Sequence, residues 1–385
     1  MKILRTVRSM NPIYGGVAEA IRLSSNQLIS MGHDVEVASL DMPHEPFLAS
    51  VTHPVLALGD RQNNFGYSSK FIPWLVANYR RFDVVIIEGL WQYHSLATWK
   101  VLHQSSVPYF VFPHGMLDPW FKRNYTLKHL KKWLYWPFVE YRVLRDANAV
   151  LFTCKEELQL ARESFCLYSA REQVAPLGIF GAPVLEQENL IRSFMREFPT
   201  LRTKRLVLFL GRIHEKKGCD HLIDAIAQII SHDPNIHLVM AGPDQTGWIP
   251  LLQARAVRLG IDQDITWTNM LQGEVKWGAL FAAEVFCLPS HQENFGIVVA
   301  EALSCGKPVL ISNKVNIWRE VESDAAGFVA DDTVAGTVQN LQRWLALDAP
   351  AYNHMAERSR QCFLQRFHIQ RAAVRLVEII REHSR

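Results

Sequence analysis

The chain has few cysteines, little net charge and no long apolar run, and each shortage excludes something. The six cysteines, at 154, 166, 219, 287, 305 and 362, include no C-x-x-C pair. They suit small buried hydrophobes in a reducing compartment better than a disulfide frame or a zinc site. No apolar stretch approaches the ~18 residues that a spanning helix needs. The opening MKILRTVRSM is too short in apolar residues, and too rich in arginine, for a signal peptide. Lys and Arg number 41 against 38 Asp and Glu, an excess too small to indicate a nucleic-acid partner. There is no short internal repeat and no low-complexity segment. A cytoplasmic globular protein is expected, and with 385 residues it should form two domains of ~150–200 residues each.

What is present is a series of short β-rich runs separated by segments of helical periodicity. KILRTV, DVEVASL, DVVIIEG, PYFVFP and NAVLFT form a first series, and RLVLFLG, IHLVMAG, DITWTN, EVFCLPS and KPVLIS a second. Apolar strands of this kind suit parallel sheets covered by helices on both faces. The series pauses at about 176–204, in PLGIFGAPVLEQENLIRSFMREFPTLRTK, and resumes at Arg205. The fold class expected is therefore α/β, with two doubly wound Rossmann-like domains, 1–180 and 181–365, facing across a cleft. The tail 366–385 carries an apolar stripe at Ile369, Ala372, Ala373, Leu376, Val377 and Ile380, which must be buried.

Ligands of such sheets bind at the carboxyl ends of the strands, so four loops merit inspection. NPIYGGVAEA places Gly15 and Gly16 before a helix whose free amides favour an anion. It is not G-x-G-x-x-G, which gives a nicotinamide cofactor little support. FPHGMLDPW sets His114 at a strand end with Asp118 beyond it, and EGLWQYHS adds Trp91 and His94 to the same edge. Trp91, His94 and Asp118 are candidate acceptor contacts, though core packing is the commoner use of a Trp and a lone His is as often structural as functional. LVLFLGRIHEKKG brings Arg212 and Lys217 to a strand end beside Gly218. Two fixed cations next to helix amides suit a diphosphate. HQENFGIVVAEALSCGKPVL holds Glu293 before a helix and Glu301 inside it, with Asn294, Phe295 and Gly296 between them. A helix start takes phosphate while carboxylates accept hydrogen bonds from sugar hydroxyls.

In combination, GRIHEKKG, HQENFGIVVAEALSCGKPV, the GGV loop and PHGMLDPW resemble the retaining glycosyltransferases of the GT-B fold, the large bacterial family 4. PHGMLDPW in particular is similar to enzymes that build surface polysaccharides, lipopolysaccharide among them. The resemblance covers essentially the whole chain. It implies a hexose donor carried on UDP or GDP and a glycan or lipid-linked acceptor bound by the N-terminal domain. Arg212 and Lys217 would then hold the donor diphosphate, with Gly16 under the phosphates. Glu293 would contact the hexose beside the backbone of Phe295, Gly296 and Ile297, Glu301 would bind the ribose, and His114 would touch the donor sugar. TNMLQG places Met270 and Leu271 at the base, with Asn269 where the family usually has Gly. PLGIF likewise departs from the family's Asn-Gly before the linker. The resemblance also implies that the last helix crosses back to the first domain.

Such a site would stabilise the departing diphosphate by fixed cations and amides, with no metal and no other cofactor. Asp262-Gln263-Asp264 is a D-x-D triplet, but it precedes a strand and is expected to be a solvated loop. The segment 121–147 interleaves Lys122, Arg123, Lys128, Lys131, Lys132, Arg142 and Arg145 with Trp133, Tyr135, Trp136 and Phe138. That mixture suits either an anionic membrane surface, such as the inner face of the plasma membrane, or a helix packed on domain one. A nucleotide-sugar epimerase, a phosphorylase and an inactive sugar-nucleotide-binding scaffold are the competing functions.

Overall fold

The computed structural model describes residues 1–14, 16–60, 64–120, 126–183 and 186–384. The chain divides into two compact units, residues 1–178 with 369–385, and residues 179–368. Each unit is built on one sheet whose strands are all parallel.

Unit 1 contains β1 (Lys2–Val7), β2 (Asp34–Ser39), β3 (Val55–Ala57), β4 (Val84–Glu88), β5 (Tyr109–Phe112), β6 (Ala149–Phe152) and β7 (Glu172–Val174). They lie in the order β3-β2-β1-β4-β5-β6-β7. The residues of β4, β5 and β6 are all buried, as continuous apolar runs between two helix layers should be. Unit 2 contains β8 (Arg205–Leu210), β9 (Ile236–Ala241), β10 (Ile265–Asn269), β11 (Val285–Leu288), β12 (Val309–Ser312) and β13 (Gly327–Ala330). Their order is β10-β9-β8-β11-β12-β13. In both sheets the order reverses once, beside β1 and β4 in unit 1 and beside β8 and β11 in unit 2. The carboxyl ends flanking such a reversal are where doubly wound sheets leave a ligand crevice.

The segment read as a pause holds a helix, Gln187–Glu197, ahead of β8. The helix Ile369–His383 buries Ile369, Ala372, Ala373, Leu376, Val377, Ile379 and Ile380. Of these, Ala373, Leu376, Val377, Ile379 and Ile380 join Ile3, Leu28, Val84, Phe110 and Ala149 in the core of unit 1, and Asn148 Nδ2 donates to the carbonyl of His383 (2.9 Å). The chain therefore passes between the units twice. In unit 1, Gly178 lies so close to Ile369 that an added Cβ would fall 2.6 Å from its Cα. In unit 2, the Ile179 amide bonds the carbonyl of Phe367 (2.9 Å).

Candidate functional site

In unit 2 the loops after β8 and β11 form the site. β8 delivers exposed Arg212, whose Nη1 donates to Gln245 Oε1 (2.9 Å). A short turn, Glu215–Lys217, follows and is capped by the His214 ring, which accepts the Lys216 amide (3.1 Å). Gly218 then adopts φ 65 and presses against the β11 loop. A Cβ there would stand 2.2 Å from the Pro289 carbonyl oxygen, so only glycine lets the two loops meet. Lys217 Nζ forms an ion pair with Glu293 Oε2.

The Glu293 backbone is tied on both sides. Its amide donates to the Lys314 carbonyl (3.0 Å) and its carbonyl accepts from the Asn316 amide (2.9 Å). Phe295 is buried against Phe367, with ring centroids 5.6 Å apart at 78°. Gly296 turns at φ 73 into the helix Ile297–Ser304, and Glu301 stands within that helix. Glu301 is 13% exposed and accepts from Lys276 Nζ (2.8 Å). Asn294 accepts from Asn316 Nδ2 (3.3 Å). At the end of β10, Asn269 has φ 56 and its carbonyl accepts the Gly242 amide (2.8 Å). Asn is the non-glycine residue that best tolerates this left-handed backbone, so the departure from Gly keeps the turn. Met270 beyond it is 59% exposed, and Leu271 is half-buried. The Asp262–Asp264 triplet forms a turn before β10, at the opposite end of that strand from these loops.

In unit 1 a buried charge network lies at the carboxyl ends of β4 and β5. Glu88 ends β4 with no exposed surface. It accepts Arg5 Nε (2.7 Å) and Arg5 Nη2 (2.6 Å) on one oxygen and His114 Nε2 (2.6 Å) on the other. Arg5 Nη1 also reaches Ser24 Oγ (2.5 Å). Burial pushes the Glu88 carboxyl up, but the Arg5 guanidinium and His114 outweigh it and hold its pKa below the ordinary 4.5. His114 itself sits at φ 51, stacks on Phe112 at 5.4 Å and has a side chain only 4% exposed. The next amide, that of Gly115, donates to Glu157 Oε1 (2.6 Å). A histidine held in a left-handed backbone and gripped by a carboxylate is strained and oriented together, as functional side chains often are.

Glu88, Arg5, Lys276 and Gln245 were not anticipated from sequence. Two of them had left a trace: Arg5 interrupts the apolar run KILRTV, and Glu88 follows the apolar run in DVVIIEG. Removing Glu88 strands a guanidinium that is 1% exposed. Glu88→Ala should therefore destabilise unit 1 by ~3–5 kcal/mol, the usual loss when one partner of a buried pair is deleted. Because its folded pKa is depressed, the Glu88 contribution is complete above pH 4.5 and is lost as pH falls through the lower folded value. Thermal melts between pH 3 and 7 check both points, and a mutant matching wild type throughout would show that the network is not stabilising.

Three expectations need correcting. His94 is buried in full, with Nε2 donating to the Glu88 carbonyl (2.9 Å), and burial lowers its pKa to about 4. It braces the end of β4 rather than facing an acceptor. Trp91 is likewise a packing residue. Its ring lies 5.2 Å from Phe165 and 6.1 Å from Trp136, and its indole donates to the Met116 carbonyl (3.1 Å). Lys132, read as a surface cation, lies over the Trp91 ring at 4.6 Å, and burial lowers its pKa to about 8. Asp118 accepts the Trp120 amide (2.8 Å). Gly16 begins the helix Gly16–Ser30, while Gly15 and residues 121–125, with Lys122 and Arg123, lie outside the described residues.

Family models decide the lineage. The model of the glycosyl transferases group 1 matches residues 192–362, and that of the glycosyl transferase 4-like domain matches residues 15–178. The two matches together span most of the chain, which belongs to the glycosyl transferases. A D-inositol 3-phosphate glycosyltransferase from Saccharomonospora viridis is 30% identical over 187 residues, 46% of this chain and 42% of that protein. Mannosylfructose-phosphate synthase from Agrobacterium fabrum is 24% identical over 282 residues, 70% of this chain and 59% of that one. The chain thus spans less than two thirds of the length of the curated relatives it matches. Among solved structures, Anabaena HepE in complex with UDP and glucose superposes with a TM-score of 0.76 at 16% identity, over 99% of this chain and 100% of that one. WaaG, a glycosyltransferase involved in lipopolysaccharide biosynthesis, gives 0.70 at 17%, over 98% and 99%. The fold of this glycosyl transferase is GT-B.

Proposed function

We propose that this glycosyl transferase moves a hexose from a nucleoside-diphosphate sugar to a glycan or lipid-linked acceptor of surface polysaccharide, with retention of anomeric configuration. The observation that carries this reading is the convergence of Lys217, Glu293 and the start of the helix Ile297–Ser304 where the strand order reverses in unit 2. Arg212 stands on the same loop as Lys217, at the end of β8. That set offers cations and amides to a diphosphate and carboxylates to sugar hydroxyls. The bond from the anomeric carbon to the β-phosphate oxygen breaks as the acceptor oxygen bonds the same face, and the leaving phosphate takes the acceptor proton. Arg212 and Lys217 balance the charge that builds on that phosphate. On unit 1, Glu88 fixes the orientation of the His114 ring. The solved complex of HepE with UDP-glucose favours UDP over GDP as the nucleotide.

Thermal unfolding with UDP, GDP and their hexose conjugates tests the donor, because a ligand at 100 times its dissociation constant adds ~2.7 kcal/mol to the folded state. No shift with any of them would overturn the reading. The acids should then separate kinetically. Glu301→Ala should raise KM for the donor, since a ribose contact is equal in ground and transition states, whereas Glu293→Ala should lower kcat. The opposite pattern would exchange their roles.

The proposal includes no metal at the diphosphate, so Mg²⁺ and Mn²⁺ should leave the turnover of EDTA-treated protein unchanged. Loss restored by Mg²⁺ or Mn²⁺ would return Asp262 and Asp264 to consideration. A lipid-linked acceptor would place the enzyme on the cytoplasmic face of the plasma membrane. Among the described residues no helix is long and apolar enough to span one, but Leu130, Trp133, Leu134 and Phe138 are 48–67% exposed. Leu130, Trp133 and Leu134 share one face of the helix Thr126–Tyr135, beside exposed Lys131, which is the composition of an interfacial anchor. Trp136, by contrast, is 1% exposed and stacks on Phe165 at 4.6 Å, fixing that helix to the core.

A further inference from the structure

Outside the donor residues, unit 2 gathers Asp220, His221 and His291 so that one ligand atom from each lies within 4.8 Å of the others. Asp220 and His221 occupy the first turn of the helix Cys219–Ile229, and His291 stands on the loop after β11. Two polar atoms here, Asp220 Oδ1 and His221 Nδ1, are buried and have no hydrogen-bond partner among the described residues. The imidazoles of His221 and His291 meet edge to face with centroids 4.7 Å apart. His291 Nδ1 is bonded to Asp332 Oδ2 (3.0 Å), which leaves Nε2 as its other nitrogen. A carboxylate on one imidazole nitrogen is the arrangement that orients the other toward a metal.

We propose that Asp220, His221 and His291 form a binding site for a first-row transition ion of the Zn²⁺ class, with Asp332 positioning His291. Two imidazoles and one carboxylate select such an ion over Mg²⁺, which prefers oxygen ligands. Bonds of ~2.0–2.1 Å put tetrahedral ligand atoms ~3.3 Å apart, so these must close by up to about 1.5 Å through side-chain rotation. The ion satisfies both orphaned atoms. It also ties the turn carrying Lys217 to the loop carrying Glu293, which already meet where the His291 amide donates to the Lys216 carbonyl (2.8 Å). The site holds those loops in register and takes no part in the departure of the diphosphate, so it stands whether or not the proposed transfer reaction does.

The test uses the untagged full chain, stripped with chelator and titrated with Zn²⁺ or Mg²⁺. One Zn²⁺ per chain by elemental analysis, with a raised melting temperature that Mg²⁺ does not reproduce, is the expected result. His221→Asn and His291→Asn should each abolish both effects, and Asp332→Asn should weaken binding ~10–100-fold. Uptake unchanged in all three variants, no uptake by wild type, or an equal shift with Mg²⁺ would overturn the site. If a variant fails to fold, Co²⁺ added to the wild-type protein decides instead. Strong visible absorption from a four-coordinate ion supports the site, and weak octahedral absorption refutes it.

Discussion

Ending the chain at His368 should unfold unit 1 and leave unit 2 folded. The deleted helix buries Leu376, Val377, Ile379 and Ile380 in the core of unit 1 and Ile369 beside Gly178. At ~1.5–3 kcal/mol for each large side chain, roughly 8–15 kcal/mol of burial is lost as an upper estimate. That equals the whole stability of an ordinary domain, ~5–15 kcal/mol. Loss of the helix also uncovers Leu28, Val84 and Phe110, so aggregation should accompany unfolding. Calorimetry of the truncated chain should show one transition, that of unit 2. A melting curve unchanged from the full chain would mean that the helix is an appendage, whatever its burial.

The second large effect is on chemistry. Lys217→Ala and Arg212→Ala should each lower kcat/KM by ~10²–10³-fold, the loss that follows removal of one preorganised donor to a developing anion. Neither should disturb folding much. Arg212 is exposed, and the Lys217 ion pair retains partial contact with water, its side chains being 13% and 20% exposed. The two mutants differ in one respect. Lys217→Ala also frees Glu293 from its ion pair, so Lys217→Ala/Glu293→Ala should lose less than the two single losses combined. Circular dichroism, to verify folding, with initial rates across donor concentrations checks this. Near-normal turnover in both single mutants would place the phosphate contacts elsewhere.

The sequence determined the two series of parallel strands, because residues buried on both faces of a sheet must be apolar without alternation, and such runs are visible in any order. β3, β7 and β13 escaped because three or four residues are too few for such a run to stand out, and none of theirs is fully buried. The loops at the strand ends were legible for a different reason. Gly218 and Gly296 are fixed by close approach and a left-handed turn, and the charged residues beside them have no packing role to explain them. What only the tertiary structure decided is pairing. Lys217 meets Glu293 across 76 residues, Arg5 meets Glu88 across 83, and Lys276 meets Glu301 across 25. A charge in a sequence shows a need for a partner or for water, but the partner is set by which strand ends the sheet order makes neighbours. The same applies to His94 and Trp91, which share an edge with His114 yet point into the core. Helical and strand periods assign a face to each side chain, while the depth of that face depends on every element packed against it.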